Sequence, residues 1–497
     1  MKNRIHLYEL ECYKSATQEK RDKMRVDPNR YFNLEGLPSE SIQTLFEAVI
    51  WERGKTLSPS SLNSELTYFN NIREFVIDKG ITELKLKDEE RILRMLKGWM
   101  LERGYALSSK KYCPVYDRVK IESPGIIKHM KKILSYAQEE DERDEQEKDI
   151  WELKNFDFLI RLNPVINTKT INFTKIVQPD IREEVKKAVF MHLKFMAMGS
   201  IQGEMAAINR FSKYLEKKKI KISSLQELDR EHIEQYLIYL KTEANERKNY
   251  RTDLYSLRRV IEDVGNLYER PHLKELFLNN DFPSTPRYLF KFYSDETIKR
   301  LNKYIFQMDE QVSRSLIIHQ LLGTRISETL TLRTDCLSIK EGRYFIRIIP
   351  VKSASFEKAI SNELAQLIRK AMEYTKERYG ETEYIFVNKK DPTRPYQYAM
   401  IQNQVMTMIR QKDIRDENGE LLNFGTHIFR HCYGKKLTEM NVEDWMIAKL
   451  LGHKTLRTVH HYRRIGNKMM ADETRKSREK MDMILLDVVK GWDGYEI

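Results

Sequence analysis

Apolar residues return every three or four positions in two long stretches of the chain. From Ser61 to Ile81 they are Leu62, Leu66, Phe69, Ile72 and Phe75, one face of an amphipathic helix. From Ser200 to Ile220 they are Ile201, Met205, Ile208, Phe211 and Tyr214. The second set lies 139 positions after the first, residue for residue. Each stripe is followed by another helical pattern, at about 89–103 and about 229–242, and a further helix is predicted over about 125–137. The shared register predicts two copies of one small helical domain.

The segments between these patterns set the expected boundaries. Residues 1–35 read as a polar, irregular N-terminal segment, and 36–155 as the first helical domain. The acidic run QEEDERDEQEKD (138–149) reads as a solvated helix face or linker. Residues 156–177, rich in Asn, Thr and β-branched side chains, read as a linker to a second helical domain at 178–282. NDFPSTPR (280–287), with two prolines and several turn formers, marks the next boundary. A helix then starts at a cap formed by Ser294 or Asp295. A short sheet is predicted at 343–362, with helices to the end. The expected fold is mostly α with a small β-sheet: two helical domains, an α+β domain at 286–480, and a tail at 481–497. The scarcity of Gly (19) and Pro (13) agrees with that.

Composition narrows the function. The 497 residues suffice for roughly three domains. A formal net charge of +13 suggests a polyanionic partner, nucleic acid or an acidic membrane face. Cys12, Cys113, Cys336 and Cys432 lie far apart with no CxxC pair, so neither a zinc site nor a disulfide framework is indicated. The N-terminus is too polar for a signal-peptide core, and no apolar run approaches the ~18 residues of a membrane span. The expectation is a soluble cytoplasmic protein that binds no metal or cofactor and does not enter a membrane.

Candidate chemistry concentrates in four segments of the last third: LLGTRISETLTLRTD (321–335), RIIPVKSASFEKAIS (347–361), THIFRHCYGKKL (426–437) and LLGHKTLRTVHHYRR (450–464). Thr426 is expected to N-cap a helix that carries His427 and Arg430 on one face. Arg325 follows Gly323-Thr324 at the mouth of a short helix, where Glu328 can hold its guanidinium. Gly452 can end a helix in a left-handed cap, which puts His453 in the tight turn. Tyr462 follows nine residues later.

Together, GTRISE, HIFRH, and LLGH with Tyr nine residues on, in this order, resemble the tyrosine recombinase (phage integrase) family over about residues 286–480. Residues 178–282 are similar to the helical core-binding domain that precedes the catalytic domain in that family. The long extension at 1–155 is unusual for simple members. The resemblance implies Tyr462 as the nucleophile, Arg325 and Arg430 as clamps on the scissile phosphate, and His427 and His453 completing the pocket. Lys352 matches the family's hairpin lysine, with Lys358 nearby as the alternative general acid. His431, His460 and His461 read as supporting or structural.

The chemistry fits those residue types. Two planar guanidiniums can neutralise charge that grows on a phosphodiester as a fifth ligand arrives. A Tyr phenol, with a pKa near 10, needs that field and a histidine base to lose its proton. The 5′-hydroxyl leaving group needs an acid. A 3′-phosphotyrosine ester would result, and another strand's 5′-hydroxyl could reverse the attack without ATP. The implied partners are double-stranded DNA, a homotetramer assembled on it, and accessory recombination proteins. The unusual N-terminal half favours a recombinase of a mobile element. The competing functions are type IB topoisomerase-like relaxation and DNA binding without catalysis. The apolar tail, from Met481 to Trp492, is expected to dock on a neighbouring protomer.

Overall fold

The computed structural model describes residues 3–18, 21, 27–85, 88–113, 115, 117–137, 142–243, 250–284, 291–350, 354–453, 455–456 and 459–460. The chain divides into two units, Met1–Arg143 and Asp144–Ile497.

The first unit starts with a short antiparallel pair, β1 (Arg4–His6) and β2 (Tyr31–Asn33), in which Ile5 faces Phe32. Between them come a 3-10 turn at Leu7–Glu9 and the short helix α1 (Glu11–Lys14). Helices α2 (Glu40–Thr56), α3 (Pro59–Asp78), α4 (Glu89–Glu102) and α5 (Gly125–Tyr136) follow. Ser39 caps α2 through the Ile42 amide, and Pro59 opens α3 where a missing N–H costs nothing. A ribbon, β3 (Ser109–Cys113) with β4 (Arg118–Glu122), separates α4 from α5. Residues 1–35, expected to be irregular, therefore contribute to the fold. Ile5, Leu7, Leu10, Phe32 and Leu34 are buried in the same core as Phe46, Phe69 and Trp99.

The second unit opens on the same plan. β5 (Ile150–Glu152) pairs with β6 (Thr170–Asn172), and a 3-10 turn at Leu153–Asn155 follows β5. Then come α6 (Pro179–Phe195), α7 (Met198–Lys217), α8 (Arg230–Thr242) and α9 (Arg251–Leu267). Every bound of β6, α6 and α7 lies 139 positions after the matching bound of β2, α2 and α3. Burial follows the same offset. Ile42, Phe46, Val49 and Ile50 match Ile181, Val185, Ala188 and Val189, and all eight are buried.

Charged groups in the two cores keep the offset too. In the first unit the Arg53 guanidinium pairs with Glu65, and His129 of α5 lies 3.9 Å from that carboxylate. At the matching positions of the second, His192 meets Glu204 at 2.8 Å. Arg259 of α9 reaches Glu204 at 3.2 Å, and Asp263 takes the other His192 nitrogen at 2.8 Å. Carboxylates only accept, so both ring nitrogens donate and the imidazole is a cation. Burial opposes that charge, but the bonds the ring donates to Asp263 and Glu204 outweigh it and raise the pKa to about 9.

Two segments expected to be passive are built into the second unit. Residues 156–177 supply β6, and Ile171, Phe173 and Ile176 enter the bundle core, while Val165 joins the core of the following domain. The acidic run begins outside the described residues, at 138–141. Its end is not merely solvated: Asp149 holds Arg182 at 3.0 Å and Lys186 at 2.9 Å.

The last domain matches the expected α+β composition. Ser294 caps α10 (Asp295–Ile305), and α11 (Glu310–Leu322) and α12 (Ile326–Leu330) follow. An antiparallel meander comes next: β7 (Leu337–Lys340), β8 (Arg343–Ile348) and β9 (Phe356–Ile360). Helices α13 (Asn362–Tyr379), α14 (Tyr398–Gln411), α15 (Thr426–Glu439) and α16 (Asp444–Leu451) complete the described part. Among the described residues, no helix is long and apolar enough to cross a membrane.

Candidate active site

The site assembles where α11 and α16 end. α11 stops at Gly323, which adopts φ +62°. A Cβ there would lie 2.3 Å from the Tyr433 ring, so both the backbone angle and the close approach require glycine. Thr324 is buried, and Arg325 becomes the N-cap of α12. Glu328, one turn on, accepts from the Arg325 backbone N–H at 2.7 Å and from its guanidinium at 2.6 Å. One buried carboxylate thus fixes both ends of Arg325, whose side chain stays 42% exposed and can still meet a ligand.

Arg430 on α15 is almost wholly buried. Its guanidinium donates to the Gly323 carbonyl at 3.0 Å and to the Leu451 carbonyl at 2.6 Å. Those carbonyls close α11 and α16, where helix dipoles are negative. Glu328 lies 3.9 Å from the same guanidinium. The two arginines therefore share Glu328, one in the interior and one at the surface.

The histidines lie in the field of these cations. His427 sits one turn before Arg430, and its pKa is lowered by burial, Arg430 and Arg325, with Glu328 opposing. His453 follows Gly452, which ends α16 at φ +64° as expected. Burial, Arg430, Arg325 and His427 hold His453 down to about 4, and its buried Nδ1 has no hydrogen-bond partner among the described residues. His431 packs edge-on to the His427 ring at 4.8 Å and is also held down to about 4, first by burial. His460 is largely exposed, 3.7 Å from Asp444.

The helix carrying His427 starts at Thr426, but its N-cap is Gly425 rather than Thr426. The extended Gly425 donates its N–H to the Tyr293 hydroxyl, and the Thr426 carbonyl receives His319 Nε2 at 2.9 Å. Tyr293, His319 and Tyr433 support the site and were not anticipated. His319 also bonds Thr329 at 3.0 Å, so it ties α11, α12 and α15 together. A carbonyl can only accept, so Nε2 carries the proton and Nδ1 accepts from Thr329. The available signal was a lone His on the apolar stripe just before Gly323-Thr324-Arg325.

Of the candidate residues, Arg325, His427, Arg430 and His453 are brought together. Lys352, Tyr462 and His461 lie outside the described residues, as does the tail 481–497. Lys358 is buried on β9, and its Nζ donates to the Leu322 carbonyl at 2.5 Å, the last carbonyl of α11. It lies 3.5 Å from the Tyr433 hydroxyl. Burial and the Arg430 charge lower it to about 7, with Glu328 opposing.

The phage integrase family matches residues 291–468, a range that spans this constellation. The chain carries a domain of that family. It is a tyrosine-type site-specific recombinase. Transposase B from transposon Tn554 of Staphylococcus aureus is 23% identical to this recombinase over 443 residues, covering 87% of the chain and 68% of that protein. Tyrosine recombinase XerA of Thermococcus kodakarensis is 24% identical over 257 residues, covering 50% of the chain and 80% of that protein. Among solved structures, the recombinase is similar to XerH bound to palindromic difH substrate in a post-cleavage complex. That match has 16% identity and a TM-score of 0.45, and covers 61% of this chain and 91% of that one.

Proposed function

We propose that this recombinase cuts and rejoins duplex DNA for a mobile element through a 3′-phosphotyrosine intermediate on Tyr462. Arg325 and Arg430 neutralise the scissile phosphate, and neutral His427 and His453 complete its pocket. The observation that carries this reading is the shared Glu328: it aims an exposed and a buried guanidinium from two elements at one neighbourhood. A pocket built that way stabilises an oxyanion before reaction, so little reorganisation is needed when charge develops. Lys352 serves as general acid to the departing 5′-hydroxyl.

The wider assembly belongs to the same proposal. The two bundles are copies of one module, as their common 139-residue offset suggests. Four protomers act together on DNA, with accessory proteins, and each donates its 481–497 tail to the next. The test is a duplex nicked next to the cleavage point of the native element end, so that the cut fragment diffuses away. Wild-type protein should accumulate as a covalent protein–DNA adduct in EDTA. Absence of any adduct on end-specific DNA would overturn the reading.

A further inference from the structure

We infer that the β3–β4 ribbon of the first unit is a second DNA-contacting element, one that enters a groove of the duplex. The inference rests on the proposed action on DNA but concerns a surface remote in sequence from the catalytic residues.

Both faces of the ribbon are open: its strand residues are exposed except Cys113 and Glu122, which are half-buried. Two-stranded ribbons are marginal in water unless something covers them. The register sets Lys111 opposite Lys120 and Tyr112 opposite Val119. Opposed residues share a face, so Lys111, Arg118 and Lys120 line one side, and Tyr112, Val119 and Ile121 line the other with Lys110. Tyr112 is 49% exposed, Val119 57% and Ile121 69%. Like charges placed directly across a ladder weaken it, and large apolar side chains in water add nothing to it. Both defects are relieved by one kind of surface.

A DNA groove is that surface. Its walls carry phosphates for the lysines, and its floor carries base edges and thymine methyls for the apolar face. The major groove is wide enough to admit a two-stranded ribbon. Charge argues against the other occupant, a second copy of the ribbon. Stacking two such ribbons apolar face to apolar face would enclose Lys110 of each copy without an acidic partner. Asp117 accepts from Tyr112, and Glu122 at the ribbon base is engaged by Lys120 and Lys128, so neither acidic group is left to balance a second copy.

The ribbon is also an addition to a shared plan. It fills the connection between α4 and α5, residues 103–124, whereas the matching connection between α8 and α9 spans only residues 243–250. The first bundle therefore carries a cationic, half-apolar ribbon where the second has a connection of only eight residues, 243–250.

The test uses the full chain and a 40-base-pair duplex of arbitrary sequence, with binding followed by fluorescence anisotropy across a salt series. The variant is Lys110→Ala, Lys111→Ala and Arg118→Ala together, and circular dichroism checks its fold. The slope of log affinity against log salt should become shallower by about 3, one for each phosphate no longer neutralised. Lys110→Arg with Lys111→Arg should leave the slope unchanged. Equal slopes for wild type and the alanine variant would overturn the inference. Failure of the wild-type protein to bind any duplex would instead strike at the proposed function. Adduct formation on the nicked duplex should persist in the variant at saturating protein.

Discussion

The Arg430 guanidinium donates to the Gly323 carbonyl at 3.0 Å, so the buried arginine holds the turn that presents the exposed Arg325. Its second bond, to Leu451, holds the turn that presents His453. Arg430→Lys keeps a positive charge but loses the planar fork that spans both carbonyls. The rate of adduct formation in single turnover should fall on the order of 10²–10³-fold, the usual loss when a transition-state donor is removed. DNA affinity should change far less. An adduct rate within threefold of wild type would mean that Arg430 serves the fold and not the phosphate.

Tyr462→Phe should abolish the covalent adduct and leave duplex affinity nearly unchanged, because only the phenol oxygen forms the bond. Denaturing electrophoresis of the nicked-duplex reaction checks it. An adduct that persists would place the nucleophile elsewhere.

Gly323→Ala forces a methyl into the Tyr433 ring at a left-handed backbone angle. Strain of this kind costs about 1–3 kcal/mol. The melting temperature should drop, and cleavage should drop further than stability alone explains, since the turn carries Arg325. Adding Tyr433→Ala removes the clash but not the angle, so it should restore only part of both.

Stability should decline on both sides of neutrality for separate reasons. Buried His319 and His129 are held down to about 4 by desolvation, against an ordinary 6.5. Between those values the unfolded chain binds protons that the folded chain refuses, so stability is lost as pH falls from about 6.5 to about 4. His192 runs the other way. Its pKa is raised to about 9, so its contribution is complete below about 6.5 and is lost as pH rises through about 9. Urea midpoints from pH 4.5 to 9.5 should trace both limbs. His192→Gln should cost about 3 kcal/mol by removing the cation between Glu204 and Asp263, with Arg259 left to offset part of their charge, and should flatten the alkaline limb.

Much of this was legible in the sequence, for physical reasons. The stripes on α3 and α7 could be read because each helix runs for several turns, long enough for a 3.6-residue period to stand out. The pairs β1–β2 and β5–β6 were missed because three-residue strands hold too few positions to show alternation. Ile171 and Phe173 in a polar setting therefore passed for linker. The β3–β4 ribbon was missed because only RVKIE (118–122) alternates, over five residues, while its partner SKKYC (109–113) does not. At the site, GTRISE and HIFRH pointed to Arg325, His427 and Arg430, which the fold brings together. They could not reveal that Arg430 spans two helix ends, because Gly323 and Leu451 are distant in sequence and the bonds go to backbone carbonyls.

The two lysines can be separated by what each is asked to do. Lys358 is buried against the α11 terminus, where its Nζ holds the Leu322 carbonyl next to the Gly323 turn. We propose that it positions that turn, with no path to the substrate required. Lys352, earlier in the segment that leads into β9, is the proposed acid to the 5′-oxygen. A substrate whose scissile 5′-oxygen is replaced by sulfur has a leaving thiolate that needs no proton. Lys352→Ala should slow cleavage of ordinary DNA by about 10²–10⁴-fold, the scale of lost acid catalysis, and recover on the sulfur substrate. Lys358→Ala should slow both substrates alike and lower the melting temperature, because a misplaced Arg325 harms the transition state whatever leaves. If sulfur rescues the Lys358 variant and not the Lys352 variant, the roles are exchanged, and the β9 lysine must leave its carbonyl partner to reach the DNA.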